Sequence, residues 1–110
     1  RLLLPEGLAH LRYYLPGSLE LGLASAEAVR RCFIVLWHLH GALATGPSLS
    51  SALDYLQYVD KAAEVYWILR SAGEKPGGMK DEDIEHTLRT FGRWERYENS
   101  LKSPGSQAAD

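Results

Sequence analysis

The sequence has one cysteine, one methionine and no long hydrophobic run. A single thiol, Cys32, rules out a disulfide within the chain and any zinc site built from several cysteines. It lies in the most apolar stretch and is expected to be a small core residue. No apolar run approaches the roughly 20 residues of a membrane-spanning helix. Leu2–Leu4 is far too short for the hydrophobic region of a signal peptide. Because the chain starts at Arg1 and not at Met, a fragment or a processed product is expected. Excess positive charge is also missing: 12 Lys and Arg face 14 Asp and Glu, for a net charge of −2 with neutral histidines. That balance argues against a chain that acts as a whole as a cationic binder of nucleic acid or membrane. The charge is uneven, with four basic against three acidic residues in 1–50 and eight against eleven in 51–110.

Familiar catalytic signatures are absent too. Ser48, Ser50 and Ser51 cluster without the glycines of a nucleophile elbow, and they read as helix-cap residues. Gly77, Gly78 and Lys80 lack the spacing of a phosphate-binding loop. Asp81, Glu82, Asp83 and Glu85 do not follow the calcium-loop pattern; they suit the first turn of a helix, where negative charge meets the dipole. No motif calls for a metal or any other cofactor, and no catalytic residue is assigned.

What is present is helix-like periodicity. The run from Cys32 to Leu39, CFIVLWHL, is the centre of the chain. Read as a helix it is apolar nearly all round and demands neighbours on several sides. The pattern predicts four main helices, at about 6–15, 26–44, 49–72 and 82–99, in a compact all-α bundle with short loops. Pro5 and Glu6 open the first helix and Pro16-Gly17 ends it. Residues 18–24 read as an ordered linker, with a short strand as the alternative. Ser25 reads as the cap of the second helix, and Thr45-Gly46-Pro47 as its end. Ser48 or Ser50 caps the third, which Gly73 ends. Asp81 caps the fourth. The expected core is Cys32, Phe33, Leu36, Leu39, Leu53, Leu56, Val59, Ile84, Leu88 and Phe91. Residues 1–102 form the domain, and 103–110 a disordered tail or linker.

Two clusters carry candidate chemistry. On a helix, His38 and His40 would point roughly 200° apart and could not chelate one metal, so structural roles at the ends of the core are expected. A histidine ahead of a glycine on a helix is also similar to the site of a histidine phosphotransfer domain, a further alternative through His38 or His40, although His38 reaches Gly41 one residue early and the lysine of that site is missing. Arg89, Arg93 and Arg96, with Trp94 and Tyr97, are read as one face of the last helix, able to meet phosphate, an acidic partner or anionic lipid. The alternative is a solvated face paired with Glu85, Glu95 and Glu98. Tyr13, Tyr14, Tyr55, Tyr58, Tyr66 and Trp67 exceed what one small core needs to hide, so some of them are expected at a partner surface.

With the helices so placed, residues 5–98 resemble the matrix domain of retroviral Gag polyproteins, nearest to the lentiviral type. The resemblance rests on Glu6-Gly7 before the segment LAHLRYYL, a second helix with Cys32 ending at Thr45-Gly46, and a third with Leu53, Tyr55 and Tyr58. The loop Lys75-Pro76, an amphipathic fourth helix and a polar tail complete it. It implies a non-enzymatic structural protein that assembles at the inner face of a membrane and self-associates. The chain departs from that family in having no Met-Gly start for myristoylation and no basic cluster near its N-terminus. The alternative is a helical adaptor or regulatory module that binds a protein through its aromatic and arginine surface. Either reading gives a protein partner or self-association, a weakly supported membrane surface, no specific nucleic acid, and an intracellular location, cytoplasmic, membrane-associated or in a virion.

Overall fold

The computed structural model describes residues 3, 4 and 6–102, the side chains of 100 and 101 excepted. It replaces the expected all-α bundle with a mixed α/β fold. Three strands, β1 (Ala9–Leu11), β2 (Ile34–Trp37) and β3 (Gly41–Ala44), form one sheet in that order. Among the described residues four helices accompany them: α1 (Leu19–Ala28), α2 (Leu49–Ser71), α3 (Asp81–Thr90) and α4 (Trp94–Lys102).

The central run is still central, but as a strand. β1 and β2 are parallel, with Ala9 opposite Val35 and Leu11 opposite Trp37. Parallel neighbours need a crossover, and α1 supplies it, so β1, α1 and β2 form a βαβ unit. β2 then turns back into β3, with Ile34 opposite Ala44 and Trp37 opposite Gly41. Phe33, Ile34, Val35 and Trp37 are β-branched or aromatic, the residue types that suit a pleated surface. A short, uniformly apolar run cannot be told from a buried helix by periodicity alone. Covered on both faces, it satisfies the need for several neighbours equally well: Ile34 and Val35 are both 0% exposed. Cys32 is buried as well.

The other corrections follow from caps. Ser18 is the N-cap of α1, its Oγ accepting the Leu21 N–H at 3.1 Å. Residues 18–24 are thus mostly helix, and Ser25 lies within α1, buried. The expected first helix at 6–15 gives way to β1. Ser48 caps α2 by accepting the Ser51 N–H at 3.1 Å, and this helix runs almost as expected. The loop before α2 passes close over its first turn. A Cβ on Gly46 would lie 3.2 Å from Cε2 of Tyr55 and 3.3 Å from the Ala52 nitrogen. Tyr55 in turn stacks on Phe33, ring centroids 5.2 Å apart and 8° from parallel, joining α2 to the sheet. The expected fourth helix is broken: Gly92, at φ 65°, separates α3 from α4. Lys80 occupies the N-cap of α3, and Asp81 stands in its first turn. Ile84, Leu88 and Tyr97 close a small cluster between α3 and α4, with Trp94 against it.

Of the other residues expected in the core, Phe33, Leu36, Leu56 and Val59 are half-buried. Leu39, Leu53 and Phe91 are exposed, Leu39 at 86%. Much of α2 beyond Val59 faces solvent, including Val65, Tyr66, Trp67 and Ile68. Among the described residues no helix is long and apolar enough to cross a membrane. The expected tail at 103–110 lies outside the described residues.

Candidate functional site

Because β1 and β2 are parallel, their carboxyl ends share one edge of the sheet, and the β2–β3 turn caps that edge. In open α/β sheets this is the edge where ligands bind. Here it carries three exposed histidines: His10 on β1, and His38 and His40 in the turn. The turn is tight. The His40 N–H donates to the Trp37 carbonyl at 3.1 Å, and the His38 N–H to the Leu11 carbonyl at 3.2 Å. Leu39 sits between the two histidines at φ 57°, the left-handed conformation that residues with a Cβ seldom adopt.

The three rings are not equivalent. His10 and His38 meet edge to face, centroids 5.6 Å apart. His40 instead lies over the indole of Trp37, centroids 5.3 Å apart and 21° from parallel. Trp37 is itself tethered: its Nε1–H donates to Oγ of Ser25 on α1 at 3.0 Å. Ser25 is 6% exposed. His40 is thus held at its backbone and at its ring by a residue that is hydrogen-bonded to the buried side of a helix. A ring so supported has a defined direction, which a binding or catalytic group requires. Among the described residues, no three His, Cys, Asp or Glu side chains converge on a point that could hold a metal. His40 can offer one nitrogen ligand, not a whole set.

The sequence picks out His38 and His40 as a pair but places them on a helix. In the turn, one ring joins His10 and the other Trp37. The support from Ser25 has no local signal, since it is 12 residues from Trp37 in sequence and depends on the βαβ crossover. The arginine cluster is spread over two helices. Arg89 pairs with Glu85 at 2.8 Å and lies over Trp94, 4.5 Å from the ring centroid. Arg93 stands in the link between α3 and α4, its N–H donating to the Leu88 carbonyl at 2.8 Å. Arg96 reaches back to Glu6, Nη2 to Oε1 at 3.0 Å, and lies over Phe33. Tyr97 is buried.

Comparison with known proteins bears on this edge. The chain is 33% identical over 88 residues to a rhamnulose-1-phosphate aldolase of Pectobacterium atrosepticum, covering 80% of this chain and 32% of that protein. It is 31% identical over 88 residues to the enzyme of that name from Enterococcus faecalis, with the same coverage. For one from Listeria monocytogenes serotype 4a the figures are 30% over 99 residues, 90% of this chain and 34% of that protein. The chain thus spans about a third of the length of the curated relatives it matches. These relatives are enzymes by name. The resemblance to a retroviral matrix domain, and with it the non-enzymatic, viral and structural reading, is therefore set aside: its similarity was of helix pattern, and two of the helices that carried it do not exist. The family model of the class II aldolase and adducin N-terminal domain matches residues 2–67, which contain the whole sheet, α1 and most of α2, and the chain belongs to that family.

Proposed function

We propose that this chain is part of an aldolase acting on a ketose 1-phosphate, and that the histidine-bearing edge is its contribution to the active site. The observation that carries the reading is His40, fixed on Trp37 at the carboxyl edge of the parallel strands of a chain similar to rhamnulose-1-phosphate aldolases. Cleavage of such a ketose is a retro-aldol step. A base takes the proton of the C4 hydroxyl, the C3–C4 bond breaks, and an aldehyde leaves. The bond's electron pair remains as the enediolate of dihydroxyacetone phosphate, which is then protonated at C3.

That enediolate needs an electron sink, either an imine on a lysine or a divalent cation on the oxygens. An imine-forming lysine is shielded from water to lower its pKa. Lys61, Lys75, Lys80 and Lys102 are all exposed and stand on α2, on α4 or between α2 and α3. The histidines are the groups of suitable chemistry on the edge. A divalent cation, when bound, would polarise the carbonyl, and His40 is the ligand this chain would offer it. His10 and His38, whose rings meet each other, lie on the same edge.

The test is an assay of triose phosphate release from rhamnulose 1-phosphate by protein from the whole reading frame that contains this chain. Release coupled to NADH oxidation is expected, falling roughly a hundredfold or more in His40→Ala. No release above the His40→Ala level from any ketose 1-phosphate tried overturns the reading.

A further inference from the structure

We infer that Ser25 and Trp37 form a positioning relay for His40, in which a hydroxyl buried on α1 fixes the indole and the indole fixes the imidazole. The inference rests on the reading of this edge as the active one, and it names residues beyond those that could touch substrate. Strands alternate their faces, so Trp37 and Val35 point to one side of β2, and Ile34 and Leu36 to the other. The hydrogen bond to Ser25 places the Trp37 side against α1. An indole has one donor and two soft torsions. With Nε1–H bound to Ser25 Oγ at 3.0 Å, rotation about the outer torsion costs that bond, at a site too enclosed for water to replace it freely.

The face of the indole is then presented at the turn, where His40 lies on it at 5.3 Å. The same residue accepts the His40 N–H through its carbonyl, so backbone and ring are referred to one support. The ring of the neighbouring His38 meets His10 instead. The arrangement explains why a serine is buried in the middle of α1, where an alanine would fit the helix better. It also gives α1 a role beyond connecting two parallel strands.

The relay makes Ser25→Ala, Ser25→Thr and Trp37→Phe informative. The readout is the ring signals of histidine-labelled 110-residue chain by NMR, with His40 assigned from their loss in His40→Ala. Stacking on the indole is expected to move the His40 ring protons upfield of those of the exposed His86. In Ser25→Ala, with amide spectrum and melting retained, most of that difference is expected to vanish, and Ser25→Thr is expected to keep it. Trp37→Phe, which retains a ring but has no N–H, is expected to behave like Ser25→Ala, and it serves if the alanine variant does not fold. In the whole reading frame, Ser25→Ala is expected to lower kcat roughly tenfold or more with KM little changed, and threonine to restore it. His40 signals that stay in place in a folded Ser25→Ala overturn the relay; where that variant does not fold, signals that stay in place in Trp37→Phe do so. Moved ring signals without cleavage by the native protein would instead count against the aldolase reading and leave the positioning intact.

Discussion

At the scale of single residues, the turn of the hairpin is where sequence and backbone disagree most. Leu39 holds φ 57° with its side chain 86% exposed. The left-handed conformation costs a residue with a Cβ roughly 1–2 kcal/mol, and no packing repays it there. Glycine removes that cost but adds roughly 0.5–1 kcal/mol of chain entropy to the unfolded state. Leu39→Gly should therefore raise the unfolding free energy in urea by about 0.5–1 kcal/mol; an unchanged or lower value would mean that the turn carries no strain. Cys32 makes a prediction of a different kind. Burial pushes its thiol above the ordinary 9.0, Arg31 opposes this and the Glu6 charge adds to it. The thiol also donates to the Glu6 carbonyl, Sγ to O at 3.4 Å. The folded state thus keeps the proton to higher pH than the unfolded state does. Its contribution is complete at neutral pH and is lost as pH rises through 9.0 toward the folded value. Native protein should lose more stability between pH 8 and pH 10 than Cys32→Ala, and iodoacetamide at pH 8 should label Cys32 slowly until urea is added.

At the scale of elements, legibility depended on whether local chemistry was decisive. α2 was legible. Thr45-Gly46-Pro47 forbids continuity from what precedes, Ser48 offers a cap, and Gly73 takes the left-handed end. That cap is expected to matter on its own: Ser48→Ala should cost about 1 kcal/mol in chemical denaturation, whereas Ser50→Ala, away from the position whose hydroxyl accepts the cap bond, should cost little. The hairpin was not legible. Six residues from Cys32 to Trp37 satisfy a helix and a doubly covered strand alike, and only the share of β-branched and aromatic side chains favours the strand. With that run taken as helix, Ser25 reads as its cap, and the true cap at Ser18 falls in a linker. The same error hid the site. His38 and His40 stood out by type, but their roles follow from a turn, and the partners that distinguish them, His10 and Trp37, come from strand pairing. The break at Gly92 is illegible for a simpler reason. Ile84, Leu88, Phe91 and Trp94 keep a helical spacing across it, although Phe91 ends up 73% exposed.

At the scale of the whole molecule, the C-terminal helix is tied back to the start of the chain. Arg96 donates from Nε and Nη2 to Oε1 of Glu6 at 3.2 and 3.0 Å, across 90 residues of sequence. Its guanidinium also lies 5.1 Å from the centroid of Phe33, whose ring stacks on Tyr55. One side chain thus links the segment before β1, the entry to β2, α2 and α4. Partial burial works against the charge of Arg96, but bonding to Glu6 and Tyr55 outweighs it and holds the guanidinium above its ordinary pKa. The balance on the other partner is tighter. The Glu6 side chain is only 19% exposed, and its Oε2 is buried without a hydrogen-bond partner among the described residues. Removing Arg96 therefore strands a carboxylate that water reaches poorly, which costs more than losing a solvated surface pair. Arg96→Ala should lower stability by about 1–2 kcal/mol and speed hydrogen exchange in α4 before that in β2. Glu6→Ala in the same background should recover part of the loss, because no charge is then left unpaired. A double-mutant coupling near zero would show that Arg96 acts through Phe33 and Tyr55 and not through Glu6.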